Sequence, residues 1–121
     1  MKVLIDANFL IYCAKQKIDY KEQIAALMGE GYELVVPLQV VRELEKIKNE
    51  AKKYSDKESA KLALLLLKTN EIKIIKVKGR DGDEAILNVS KGNIVATHDL
   101  ALKKRVKNAL VIKDKTNIGF V

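Results

Sequence analysis

The chain has no tryptophan, one cysteine, one proline and one histidine among its 121 residues. Its lone cysteine, Cys13, excludes an internal disulfide and suits a reducing compartment, so a cytoplasmic location is expected. Only four Tyr and two Phe supply aromatic bulk, so the core must be aliphatic. Long apolar runs are also missing. Leu62 to Leu67 is bracketed by Lys61 and Lys68 and falls far short of the roughly 20 residues that span a bilayer. It is read as core, with part of a dimer interface as the other reading. No secretory leader is legible, because Leu4-Ile5 runs straight into Asp6. No membrane partner is expected. No repeat and no low-complexity linker divides the chain, so residues 1–121 are read as one domain.

Apolar residues make up 48% of the chain, which excludes general disorder. Lys and Arg number 23 against 16 Asp and Glu, a net charge of +7 that favours an anionic partner such as nucleic acid. A solvated, lysine-rich surface is the alternative reading of that charge.

Short β-like runs alternate with helical stretches, the pattern of a parallel sheet covered on both faces. Strands are expected at 3–6, 33–36, 72–77, 93–97 and 109–112. Helices are expected between them, over about 8–17, 19–29, 37–54, 55–68, 83–92 and 100–107. Asp19 with Glu22, and Ser55 with Glu58, read as capping boxes that open two of the helices. Pro37 sits at a tolerated first-turn position. The last residues, to Val121, are ambiguous.

Four acids stand out against this background. Asp6 ends the first strand and Asp99 follows the fourth. Glu43 lies in the helix after the second strand, on the border of a stripe of Val40, Val41, Leu44 and Ile47. Asp83 opens the helix before the fourth strand. Open sheets of this kind bind ligands beyond the carboxyl ends of their strands, where connectivity reverses. Neighbouring first and fourth strands would therefore aim Asp6 and Asp99 into one crevice. Each acid also has an ordinary reading. Asp6 and Asp99 can serve as N-caps, Glu43 can be a surface charge, and Asp81 with Glu84 can cap a helix on which Asp83 is only a first-turn acid. Four converging carboxylates repel one another unless a cation joins them, and hard oxygen donors suit Mg²⁺ or Mn²⁺.

Four segments carry a family resemblance. They are Val3-Leu4-Ile5-Asp6-Ala7-Asn8, Val36-Pro37-Leu38-Gln39-Val40-Val41-Arg42-Glu43-Leu44, Gly82-Asp83-Glu84-Ala85-Ile86-Leu87 and Ile94-Val95-Ala96-Thr97-His98-Asp99. In order and at this spacing they resemble the PIN-domain nucleases over essentially the whole chain. The resemblance implies an α/β fold, a Rossmann-like three-layer α/β/α sandwich with a parallel sheet of about five strands. It also implies metal-dependent hydrolysis of RNA. Asp6, Glu43, Asp83 and Asp99 would be the catalytic acids, with Asp6, Asp83 and Asp99 holding metal and Asn8 and Thr97 supporting them. Where many relatives have a second Asp after the third acid, this chain has Glu84. Asp81 competes with Asp83 for the third position.

Arg42, Lys78 and Arg80 are the basic residues nearest the acids in sequence and are expected to contact RNA phosphates. His98 lies beside Asp99, but alternation along an extended segment can turn it away from Thr97 and Asp99. Within the family, the Pro37–Glu45 segment resembles the ribosomal-RNA-processing branch, and the compact size equally suits the toxin of a toxin–antitoxin pair. A single-stranded or structured RNA substrate, an antitoxin partner and a homodimer follow as expectations from those branches. A non-catalytic RNA-binding adaptor is the alternative outside the enzyme class.

Overall fold

The computed structural model describes residues 1–121. Strands β1 (Lys2–Ile5), β2 (Glu33–Pro37), β3 (Lys73–Ile75), β4 (Ile94–Ala96), β5 (Ala109–Lys113) and β6 (Asn117–Phe120) form one sheet. Six helices flank it: α1 (Ala7–Gln16), α2 (Tyr20–Met28), α3 (Leu38–Glu50), α4 (Tyr54–Thr69), α5 (Gly82–Val89) and α6 (Leu100–Lys104). The strand order is β3-β2-β1-β4-β5-β6. β1 is central, and Val3, Leu4 and Ile5 are wholly buried on both faces, as an unbroken apolar run in a parallel sheet requires. Together with Phe9, Leu10, Val35, Val36, Val40, Leu44 and Ile86 they anchor an aliphatic core.

The expected alternation holds, and so does the reversal of connectivity. β1 pairs in parallel with β2 on one side and with β4 on the other, Ile5 standing opposite Ala96. The sheet has six strands rather than about five, and it is mixed. The ambiguous terminal segment turns back as β6 and pairs antiparallel to β5, with Ile112 opposite Ile118. Its signal is a turn at Asp114 and Lys115, both at positive φ, followed by one buried side chain, Ile118. At the other edge, β3 has only three residues, and Ile74 on it is half exposed.

Several boundaries differ from the expected ones for identifiable reasons. Asp19 does cap α2, accepting from the Glu22 amide at 3.1 Å. The Ser55 box is unused: α4 begins at Tyr54, and the Ser55 carbonyl accepts from the Ser59 hydroxyl at 2.8 Å inside the helix. α3 stops at Glu50 instead of about Tyr54, because its apolar stripe ends at Ile47 and the following residues face water. α5 ends at Val89, and Gly92 (φ 78°) belongs to the turn into β4. The leucine run is only half core. Ala63 and Leu67 are buried, while Leu62 and Leu65 are 38% and 58% exposed. No helix is long and apolar enough to cross a membrane.

Candidate active site

The crevice between the carboxyl ends of β1 and β4 is built by hydrogen bonds that run from strand to strand. The Asp6 amide donates to the Ala96 carbonyl at 3.1 Å, closing the β1–β4 ladder where the two chains diverge. The Asp6 side chain then does two jobs. Its Oδ1 accepts from the Phe9 amide at 2.7 Å, capping α1, and its Oδ2 accepts from the Thr97 hydroxyl. The Thr97 hydroxyl in turn accepts from the Asp99 amide at 3.0 Å. A chain of donors therefore ties Asp99 through Thr97 to Asp6. Asp6 and Thr97 are almost fully buried, and these bonds satisfy groups that would otherwise be costly to hide. Asp99 caps α6, its Oδ1 accepting from the Ala101 amide at 2.8 Å.

The capping reading and the site reading are thus compatible for Asp6 and Asp99. A strand that ends in a helix N-cap leaves its carboxylate at the sheet edge. The amide dipoles at the two helix starts also favour negative charge there.

The second half of the site comes from α3 and the loop before α5. Glu43 Oε1 accepts from the Gly82 amide at 2.5 Å. One turn earlier on α3, Gln39 Nε2 donates to the Val77 and Gly79 carbonyls at 2.8 and 2.9 Å. Residues four apart share a helix face, so α3 grips the loop at both ends. Asp81 caps α5, accepting from the Glu84 amide at 2.9 Å. Asp83 lies in the first turn and lines a cavity of about 20 Å³ together with Asp6, Asn8 and Glu43. That is room for about one water or a small ion.

Burial is the main force on these acids. It pushes the Asp6 carboxyl from 3.8 up to about 6, against the Thr97 and Phe9 hydrogen bonds and with help from the Asp83 and Asp99 charges. Burial also raises Glu43, partly offset by the Gly82 amide, and raises Asp83, where Asp99 and Asp81 add repulsion and Arg105 relieves it. An acid whose folded pKa exceeds its unfolded value holds a proton that the unfolded chain releases. The Asp6 contribution to stability is then fullest below about pH 3.8 and is lost as pH rises through 6, so the Asp6 charge costs roughly 3 kcal/mol at neutral pH without a cation. Asp6→Asn should accordingly gain in Tm on the wild type between pH 4 and pH 7 in EDTA. Parallel Tm curves across that range would refute the assignment.

Asp6, Glu43 and Asp83 share one cavity, and the Asp99 charge acts on Asp6 and Asp83 from beside it. Such donors suit a hard divalent cation, and their mutual repulsion is the imbalance such an ion corrects. They are not drawn into a ready ligand set: no three His, Cys, Asp or Glu side chains form a group that could hold a metal ion as they stand. The surrounding residues divide. Asn8 is exposed at the cavity mouth and makes no side-chain hydrogen bond to the acids, unlike Thr97. Glu84 is turned to Arg80, Nε to Oε2 2.8 Å, so the Arg80 charge is partly answered by a neighbour four residues on. Arg42 and Arg80 line a cleft beside Glu43, which Lys78 does not. His98 is exposed and lies against the Tyr12 ring, centroids 4.2 Å apart. Sequence reasoning missed the Gln39 grip and the reach of Arg105 to Asp83. The only signal for Gln39 is its place one turn before Glu43.

Comparison with known proteins agrees with this fold. Residues 3–113 match the family described as PIN like domain. Ribonuclease VapC4 of Methanocaldococcus jannaschii is 34% identical over 108 residues, covering 87% of this chain and 82% of that protein. The PIN domain endonuclease Utp24 superposes with a TM-score of 0.78 at 25% identity, over 98% of this chain and 90% of Utp24. VapBC2 from Rickettsia felis, solved bound to a DNA fragment from its promoter, gives a TM-score of 0.63 at 12% identity over 92% of this chain and 98% of that one, a likeness of fold. With a buried acid at the end of its central strand, a gripped loop carrying a second, and matched relatives along nearly its full length, the chain belongs to the PIN-like domain family.

Proposed function

We propose that this protein is a divalent-metal-dependent endoribonuclease, hydrolysing RNA phosphodiesters at the crevice between β1 and β4. The observation that carries the reading is the linkage of Asp6, Thr97 and Asp99 across the switch point, facing Glu43 and Asp83. Relatives named as a ribonuclease and a PIN domain endonuclease support it. Asp6, Asp83 and Asp99 would hold Mg²⁺ or Mn²⁺. When bound, such an ion supplies a water of lowered pKa and stabilises charge on phosphate oxygens.

The chain's own residues supply the rest. Thr97 holds the Asp6 carboxylate in one orientation by donating to Oδ2. Glu43 fixes the start of α5 through the Gly82 amide, so Asp83 faces the crevice. Its remaining oxygen is free to orient the attacking water. Arg42 and Arg80 draw the RNA backbone toward the acids, and Arg105 steadies Asp83.

The RNA assay also separates two neighbouring acids. Asp81 accepts the Glu84 amide as a cap, a role Asn performs equally well. Asp81→Asn should cleave single-stranded RNA within about threefold of wild type, whereas Asp83→Asn should lose about a hundredfold or more, an effect of about 2.7 kcal/mol. EDTA should abolish cleavage in all of them. Equal activity in the two variants would move the third acid to Asp81. Cleavage that survives EDTA would remove the metal.

Two roles fit this activity. The Pro37–Glu45 segment supports ribosomal RNA processing, and identity to ribonuclease VapC4 supports a toxin with a protein antitoxin. Growth arrest on expression, relieved by a small neighbouring gene product, would decide for the toxin. A non-catalytic adaptor would need from Asp6 only the cap it gives α1, which a neutral Asn supplies without a buried charge.

A further inference from the structure

We infer that the cleft on the far side of Asp99 is a seat for one unpaired nucleobase of the RNA, with His98 as its stacking platform. The inference rests on the ribonuclease reading and adds where the substrate is gripped beside the acids. The cleft has a volume of about 330 Å³, enough for a base and part of its ribose. Its walls are mixed in the way a base requires. Leu100, Val111 and Ile112 give apolar surface, and Lys103 gives a cation for a base carbonyl or the adjoining phosphate. Thr97 and Asp99 line it too, and Thr97 donates to Asp6, which puts the cleft beside the proposed catalytic acids.

His98 is the decisive residue. It is exposed, and its ring is held at 4.2 Å from the Tyr12 ring, tilted by 36°. Tyr12 is itself fixed, its hydroxyl donating to the Lys115 carbonyl at 2.8 Å. The imidazole is therefore braced on one side and open on the other, which is how an aromatic serves as a stacking surface. His98 bonds to none of the acids, and Leu100 is 68% exposed beside it. Leu100, bare beside the imidazole, adds apolar surface that a flat, partly apolar ligand can cover. A base already paired in a duplex must break its pairing and stacking to enter, so the seat favours single strands.

The test is binding and cleavage of single-stranded RNA hexamers. Anisotropy in EDTA at low salt reads affinity without hydrolysis, and KM and kcat are measured separately with Mg²⁺. His98→Ala should weaken binding and raise KM by about tenfold, within the range of one lost base stack, while kcat changes little. His98→Phe should restore affinity. An abasic nucleotide walked along the hexamer should match the His98→Ala loss at one position, next to the cleaved bond, and the two losses should not add. Unchanged affinity in His98→Ala, additive losses at every position, or no binding of RNA would overturn the seat. So would a change in oligomeric state with RNA affinity intact, which would make the cleft a protein contact. If wild type binds with this His98 signature but cleaves nothing, the nuclease reading fails and the seat stands.

Discussion

Asp6→Asn should cut RNA cleavage by about a thousandfold or more, which corresponds to about 4 kcal/mol of lost transition-state stabilisation. The substitution is nearly isosteric, and the side-chain carbonyl of the new asparagine can still accept from the Phe9 amide, so α1 keeps its cap. What changes is the charge and one acceptor. The new side-chain NH₂ would meet a Thr97 hydroxyl that already accepts from the Asp99 amide, and that hydroxyl would lose its own acceptor. The structure thus predicts a folded protein with a broken site. Tm at neutral pH should not fall, because removing a buried charge offsets the lost hydrogen bond. Metal binding, read by calorimetry, should weaken along with cleavage. Activity within tenfold of wild type in a protein purified free of contaminating nuclease would remove Asp6 from the site.

Gly79→Ala should be the most destabilising small substitution in the chain, by about 2–4 kcal/mol, with Tm lower by on the order of 10 °C. Gly79 has φ 152°, a conformation that L side chains rarely adopt. A Cβ there would lie 2.5 Å from the Ala85 amide nitrogen and 2.7 Å from its Cα, backbone atoms of α5 that cannot swing aside. The collision would push apart the loop and the helix that Gln39 and Glu43 hold together, so activity should fall as well. Gly92→Ala is the control, since Gly92 also has positive φ but open space around its Cα. It should cost only about 1–2 kcal/mol, from backbone torsion alone. Equal Tm losses in the two variants would show that strain, not the close approach to Ala85, governs Gly79.

Much of the candidate site is legible in the sequence because it sits where regular structure starts and stops. Asp6 and Asp99 are marked twice, by an apolar run before them and by the cap chemistry after them. The layered architecture follows from the alternation of strands and helices. Glu43 is placed near the site through resemblance, but its bond to the Gly82 amide is not legible, because nothing in local sequence says which loop a helical side chain will meet. The same is true of Gln39, which reaches 38 and 40 residues along the chain. The unused cap at Ser55 shows tertiary contacts outweighing a local motif, since Ala60 and Ala63 had to face the core. Short strands also resist reading. β3, expected over six residues, has three, its own Lys73 and the following Lys76 lying in water.

That short third strand bears on how the protein behaves when crowded. A sheet has two rims, and an open rim can recruit a neighbour's backbone and start a fibril. Here one rim offers three residues, with Lys73 and Lys76 exposed on either side of Ile74. The other is β6, folded back on β5 and preceded by Lys113 and Lys115. Neither gives a long, flat, uncharged template. Concentrated solutions should therefore stay clear, resisted at both rims by the same lysines that give the chain its positive charge.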